Sequence, residues 1–408
     1  MHRLRKTAAI ILMLLLAAAS PAHAADVSAD DAARFLAGLM PSEQSPLMAL
    51  TKDPAWQHHA KFFDYAFGQL EQRQLSKIRV WASANLAAPR PTMFYMFSGP
   101  DFIYADAFYS KATTYVLAAL EPVGMVPDLT RLSANELYDV LYTIEHAMSS
   151  SLNFSFFITK QMRTDLGGGQ ASGTLPILYV FLARSGKAIR SVSPVALDSQ
   201  GVVHGPGEDA GAGPIRGVKI IFAGSDGVER TLYYFSTDLS NRGVRASGFL
   251  KFCAALAPGN SLIKSASYLL HAGNFSAVRN FLLDNSATII QDDSGIPLRD
   301  YDLRKWRLFP FGRYAGPIAK FPGKYQRDYA ELFEHSQPID FGIGYRWRPF
   351  ESNLLLSVRL PSDGSVSVDA TPPAPAQPAP PLKPKPVRPK PFHPQVFDDL
   401  GNFWPFGR

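Results

Sequence analysis

Two stretches decide the fold: Thr92-Met93-Phe94-Tyr95-Met96-Phe97-Ser98-Gly99-Pro100-Asp101-Phe102 and Thr114-Tyr115-Val116-Leu117-Ala118-Ala119-Leu120-Glu121-Pro122-Val123-Gly124. Each opens with an apolar run of strand length and stops at Ser, Gly, Pro or an acid, residues that turn a strand into a loop. Both runs are apolar on both faces, as strands covered by helices on two sides are. Residues 102–109 between them leave room for about two helical turns, which predicts parallel strands joined by one right-handed crossover. Parallel strands end on one edge, so Ser98, Asp101 and Glu121 are expected together there. Open α/β sheets place their ligands at that edge.

A second strand–helix–strand unit is expected over 262–270, 275–284 and 287–291, running into Asp292-Asp293-Ser294-Gly295-Ile296-Pro297. If both units share a sheet and a direction, Asp292 and Asp293 emerge beside Asp101 and Glu121. Converging carboxylates suit a divalent cation, or have their pKa values pushed apart for general acid and base work. Asp101, Glu121, Asp292 and Asp293 are therefore the candidate catalytic residues. Asp, Ser and Gly are also what turns prefer, so a purely structural reading of the Asp pair stands beside the catalytic one. Lys264 and Tyr268 fall on one face of the expected 262–270 strand and His271 just past its end; with Ser98 they are the candidate substrate-binding residues. The sequence assigns no metal ligands and identifies no cofactor.

Outward from these units, residues 30–39 and 56–75 have helical spacing and predict an N-terminal helical layer. His58 and His59 are neighbours on different helix faces and are expected to pack rather than bind metal. Ser133-Ala134-Asn135-Glu136 is a capping box opening a helix with Leu137, Leu141, Ile144 and Met148 on one face. Glu145-His146 near its end has no metalloprotease frame around it and reads as structural. A second helix is expected over 153–162, Gly167-Gly168-Gly169 as a mobile connection, and an apolar helix from Pro176 to near Gly186. Residues 189–197 read as a strand, and 218–222 with 230–235 as a hairpin of antiparallel additions. Ser225 in its turn lacks the strand-to-helix context of a nucleophile elbow. The aromatic, Arg-rich 301–329 reads as a long ordered loop, followed by closing strands over 341–347 and 354–360.

Residues 1–24 carry Arg3, Arg5 and Lys6, an apolar run too short to span a membrane, and Ala22-His23-Ala24. This is the pattern of a cleaved secretory signal, which places the mature chain in the periplasm or outside the cell, with no membrane span after cleavage. Residues 25–365 form one expected α/β domain. Residues 366–395 are an expected extended basic linker, with proline at nearly every second or third position from 371 to 394, joined by Lys383, Lys385, Arg388 and Lys390; a short aromatic tail, 396–408, follows. The linker is a candidate contact for an acidic cell-envelope polymer or protein. Of the formal +6, the signal carries +3 and residues 366–408 carry +2, leaving the body near +1. That is no phosphate-neutralising surface, so nucleic acid is not an expected partner. The one cysteine, Cys253, cannot form an internal disulfide and reads as core.

Phe97-Ser98-Gly99-Pro100-Asp101-Phe102, Tyr115 to Gly124, Tyr233-Tyr234-Phe235-Ser236-Thr237-Asp238-Leu239-Ser240-Asn241 and Gln291-Asp292-Asp293-Ser294-Gly295-Ile296-Pro297 together resemble a family of secreted bacterial proteins with no assigned activity. The resemblance implies one secreted domain and transfers no functional residue. Three functional classes follow from the residues. An extracytoplasmic hydrolase of an envelope glycan or similar substrate uses the strand-end acids. A non-catalytic envelope protein binds a ligand or partner. A nucleotide-type transferase ranks last, because only Gly99 stands where a glycine-rich fingerprint is required.

Overall fold

The computed structural model describes residues 27–86, 89–154, 164 and 166–361. The expected signal, most of the helix expected over 153–162, the Pro-rich linker and the aromatic tail lie outside them. The protein is an α/β fold built on one ten-stranded mixed sheet. Its elements run α1 (Ala29–Leu36), α2 (Pro54–Leu70), α3 (Ser76–Asn85), β1 (Thr92–Met96), α4 (Phe102–Tyr109), β2 (Thr114–Ala119), α5 (Ala134–Phe154) and α6 (Leu175–Arg184). There follow β3 (Ala188–Leu197), β4 (Val203–His204), β5 (Ile215–Ala223), β6 (Glu229–Ser236), α7 (Asn241–Ala246), α8 (Phe249–Ala255), β7 (Gly259–Ile263), α9 (Ser276–Asn285), β8 (Ser286–Gln291), β9 (Trp306–Gly312), α10 (Arg327–Phe333) and β10 (Asn353–Arg359). No described helix is long and apolar enough to cross a membrane.

The strand order is β4-β3-β5-β6-β2-β1-β7-β8-β10-β9. β6, β2, β1, β7 and β8 are mutually parallel, so their carboxyl ends share one edge, as the two strand–helix–strand units require. Antiparallel strands close both flanks. The hairpin of β5 and β6 is antiparallel as expected, yet β6 is no addition at the fringe: Thr231 to Ser236 pair in parallel with β2.

Alternate residues of β1 enter different cores. Met93 and Tyr95 pack with α1 to α6 on one face, while Phe94 and Met96 pack with α7, α8 and α9 on the other. The N-terminal layer is longer than expected: α2 passes through a π-helical turn, Glu71–Leu75, straight into α3. His59 is fully buried, with Nδ1 2.7 Å from Glu145 Oε1 and Nε2 2.8 Å from the Leu36 carbonyl, which ties α1, α2 and α5 together. The capping box at Ser133 forms, with reciprocal bonds to Glu136. Cys253 lies in the core, where burial pushes its thiol up.

Three expected elements differ. The strand placed over 262–270 ends at Ile263 and begins earlier, at Gly259, because Asn260 and Ser261 satisfy their polar groups within the sheet through Arg90, Thr92 and Ser286. The loop expected over 301–329 contains β9, which lies at the end of the sheet beside β10 and is bridged on its outer side to Gln337 at Phe311. Its Pro310 is tolerated because its missing N–H falls on the outer side, where the Gln337 amide donates to the Pro310 carbonyl and the Gln337 carbonyl accepts from the Gly312 amide. Residues 341–347 form no strand, only an isolated bridge between Ile343 and Arg346.

Candidate functional site

The crossover helices α4 and α9 cover opposite faces of the sheet. The chain leaving β1 and the chain leaving β7 therefore part at adjacent strands, which opens the switch point where α/β sheets bind ligands. All four non-glycine residues at positive φ among the described residues sit in these two exits: Phe97 after β1, and Ser265, Ser267 and Tyr268 after β7. Each such conformation costs on the order of 1–3 kcal/mol and persists only where surroundings over-determine it.

Lys264, the first residue past β7, spans the switch point. Its Nζ lies 2.8 Å from Asp101 Oδ2, with the two side chains only 1% and 3% exposed. The same ammonium stands 3.7 Å from the centre of the Tyr104 ring. Tyr95 donates to Asp101 Oδ2 at 2.7 Å, and Asp101 Oδ1 has no hydrogen-bond partner. Burial holds the Lys264 ammonium below its usual range, and the Asp101 charge opposes that shift.

Asp292 and Asp293 leave β8 one strand further on. Asp292 Oδ1 accepts from the Ser294 amide at 3.1 Å and the Ser294 hydroxyl at 2.5 Å, and Oδ2 accepts from the Ser265 and Tyr345 amides at 3.1 and 3.4 Å. The second pair of bonds needs a glycine at 344: its φ is +65°, and a Cβ there would lie 1.7 Å from Asp292 Oδ2. Asp293 Oδ2 accepts from the Tyr268 hydroxyl at 2.5 Å and Oδ1 from Asn353 at 3.1 Å. Burial, and then the neighbouring Asp293 carboxyl, push Asp292 up to about 7. Burial raises Asp293 as well, against the hydrogen bonds from Tyr268 and Asn353. A pair so raised keeps a proton at a pH where isolated carboxyls have lost theirs. Asp292 also acts electrostatically on Lys264 and on Tyr95, which joins the two halves of the cluster.

The fold thus brings Asp101, Lys264, Asp292, Asp293 and Tyr268 into one network. Lys264 and Tyr268 do not share a strand face, as the sequence predicted, because the strand has ended before either; Tyr268 sits in a left-handed turn and His271 closes the 3-10 turn Leu269–His271. The His271 ring meets the Tyr268 ring edge-on at 5.2 Å. Glu121 is at the same sheet edge, buried at the end of β2, and its carbonyl accepts from Tyr234 of β6, on the far side from β7. Ser98 is buried and its hydroxyl turns back to the Gly99 carbonyl at 2.8 Å.

Sequence reasoning missed Tyr95, Tyr104, Ser265, Tyr345 and Asn353. Tyr95 carried the one available signal, a hydroxyl inside an otherwise apolar two-faced strand that has to find a partner. Residues 313–326 cover the network. Phe321 packs against Tyr268 at 5.1 Å and Tyr345 at 5.7 Å between ring centres, Gln326 donates to the Asp293 carbonyl, and Arg346 holds the Gly316 and Pro317 carbonyls. An open cavity of about 450 Å³ lies elsewhere, between α5 and the glycine triplet, and none of the candidate residues lines it. The triplet itself is an exposed run of bends beside α5. Among the described residues, no three His, Cys, Asp or Glu side chains gather at metal-binding geometry.

No protein-family model matches the chain, and no curated protein or solved structure matches it. The resemblance carried by the short motifs therefore adds no residue role to the geometry.

Proposed function

We propose that the protein is a periplasmic or secreted hydrolase of an envelope glycan or a similar substrate, working by general acid–base catalysis at the Asp292–Asp293 pair. The observation that carries this reading is the convergence of Asp101, Lys264, Asp292 and Asp293 from three separate strand exits at the topological switch point. Raised carboxyls are what such chemistry uses. The one that keeps its proton gives it to the leaving oxygen, and the one that has lost its proton takes one from the attacking water. Lys264 and Asp101 fix the charge beside the pair, and Tyr268 orients Asp293 through its hydroxyl. Substrate reaches the pair when residues 313–326 move aside. The secretory pattern of residues 1–24 supports the compartment.

The deep burial of all four groups favours a second reading, a non-catalytic envelope-binding protein in which this network only holds loops in place. Incubating the mature chain with purified cell-wall glycan and measuring new reducing ends separates the two. The hydrolase reading expects release by the wild type and a loss of at least about 100-fold in Asp292→Asn and in Asp293→Asn, with unchanged far-UV and near-UV circular dichroism. Absence of release by the wild type, or folded variants as active as the wild type, favours the binding protein.

A further inference from the structure

Along α5, Tyr138, Tyr142 and His146 recur at every fourth position, so their side chains stand in one row, with about 6 Å of helical rise from one to the next. The rings keep that spacing. Tyr138 and Tyr142 lie 6.1 Å apart between ring centres and 11° from parallel, and Tyr142 and His146 lie 6.0 Å apart and 15° from parallel. Both tyrosines are 55% exposed, while the apolar stripe of the same helix, Leu137, Leu141, Ile144 and Met148, is buried. The row is therefore surface that the core does not use.

The open cavity of about 450 Å³ adjoins it. Glu136, Asp139, Val140 and Thr143 form the helix wall, on one face of α5, and Gly168 to Ala171 form the far wall. Asp139 and Thr143 border both features, because Tyr142 follows Asp139 by three residues and His146 follows Thr143 by three, and residues so spaced are neighbours on a helix. The far wall is tied down at its base: the Gly173 amide donates to the Leu166 carbonyl at 3.0 Å, and Met125 and Ser172 exchange amide-to-carbonyl bonds at 2.9 and 3.2 Å. Glycine allows that approach, since Gly124 has a φ of +71° and a Cβ on it would lie 1.8 Å from the Ser172 carbonyl oxygen. Gln170 then reaches across the cavity to Glu136 at 3.0 Å. Among the described residues the Asp139 carboxylate has no hydrogen-bond or ion-pair partner, and no cation pairs with Glu136.

We propose that the α5 cavity and its tyrosine row form a glycan-binding site, separate from the acid pair, that takes a run of neutral pyranose sugars. A pyranose unit has an apolar C–H face and a rim of hydroxyls. Exposed tyrosine rings cover the first, and carboxylates accept strong charge-assisted bonds from the second. The volume is that of a small-ligand pocket, and two carboxylates without a cation repel an anionic sugar. The site stands on its own geometry; under the hydrolase reading it anchors the polymer away from the bond that is cut.

The test is a titration of the full mature protein, labelled at its tyrosine rings, with three probes: the linear tetramer of glucose, the tetramer of N-acetylglucosamine, and the latter carboxymethylated. The Tyr142 resonances, identified by their disappearance in Tyr142→Phe, are expected to move saturably with at least one neutral tetramer. The one that moves them assigns the sugar. Tyr142→Ala and Asp139→Ala, both at exposed positions, are each expected to weaken the binding at least about tenfold, read at the Tyr138 ring, with unchanged circular dichroism. Carboxymethylation is expected to weaken it by a similar factor at low salt. No saturable movement with either neutral tetramer, unchanged affinity in both variants, or equal affinity for the carboxymethylated tetramer overturns the site. Saturable binding by a wild type that releases no reducing ends removes the hydrolase and keeps the site. Release of reducing ends by a wild type whose Tyr142 ring ignores both neutral tetramers keeps the hydrolase and removes the site.

Discussion

Asp292 titrates against its surroundings, and this gives the acid pair a signature in stability. Burial raises it to about 7 in the folded chain, against about 3.9 in an unfolded one. Between those values the native state holds a proton that the unfolded state has released. The unfolding free energy therefore falls as pH rises through this window, at up to about 1.4 kcal/mol per pH unit for each proton the Asp292–Asp293 pair retains. The stabilising contribution is fully present below about pH 4 and gone above about pH 7. Urea unfolding at pH 4.5 and pH 7 is expected to show this inverted slope in the wild type and a clearly smaller one in Asp292→Asn. An equal slope in both would place the proton elsewhere. At the scale of single residues, the sequence marked Asp101, Asp292, Asp293 and Lys264 because acids and a lysine at strand ends are few. It could not mark Tyr104 or Asn353, which reach the cluster from a helix and an edge-side strand that share no motif with it.

Secondary structure was most legible where apolar periodicity ran uninterrupted, as in β1, β2 and α5, and least where polar residues are buried inside an element. Asn260 and Ser261 hide the start of β7, and Ser265, Ser267 and Tyr268 hide its end, since none of the three is a residue type that advertises a left-handed conformation. Pro310 hid β9 for the same kind of reason, being allowed because its missing N–H falls on the outer side of the end strand. The cover over 313–326 has a consequence at this scale. Its grip on the β7 exit is largely the Phe321 ring against Tyr268 and Tyr345, a half-buried aromatic contact worth about 1–2 kcal/mol. Phe321→Ala is therefore expected to raise amide hydrogen exchange at 265–268 and 343–345 by about tenfold while leaving the strands β1 and β2 unchanged. Uniform acceleration across the sheet would mean that the ring stabilises the whole fold and not a separable cover.

The whole molecule divides its charge unevenly, and the division makes attachment and activity separable in a test. Residues 25–365 are near neutral, and four clustered cations lie in the Pro-rich stretch at Lys383, Lys385, Arg388 and Lys390. An attraction of these four cations for an acidic polymer would be screened by salt over about 8–10 Å, unlike the buried Lys264–Asp101 pair, which salt reaches poorly. Two behaviours should therefore come apart in one preparation. The chain from residue 25 to 408 is expected to co-sediment with an anionic cell-wall polymer at low salt and to be released by about 0.5 M NaCl. A chain ending at Leu360 is expected to stay in the supernatant while keeping its unfolding midpoint and any glycan-releasing activity. If the shorter chain sediments equally well, attachment belongs to the folded body.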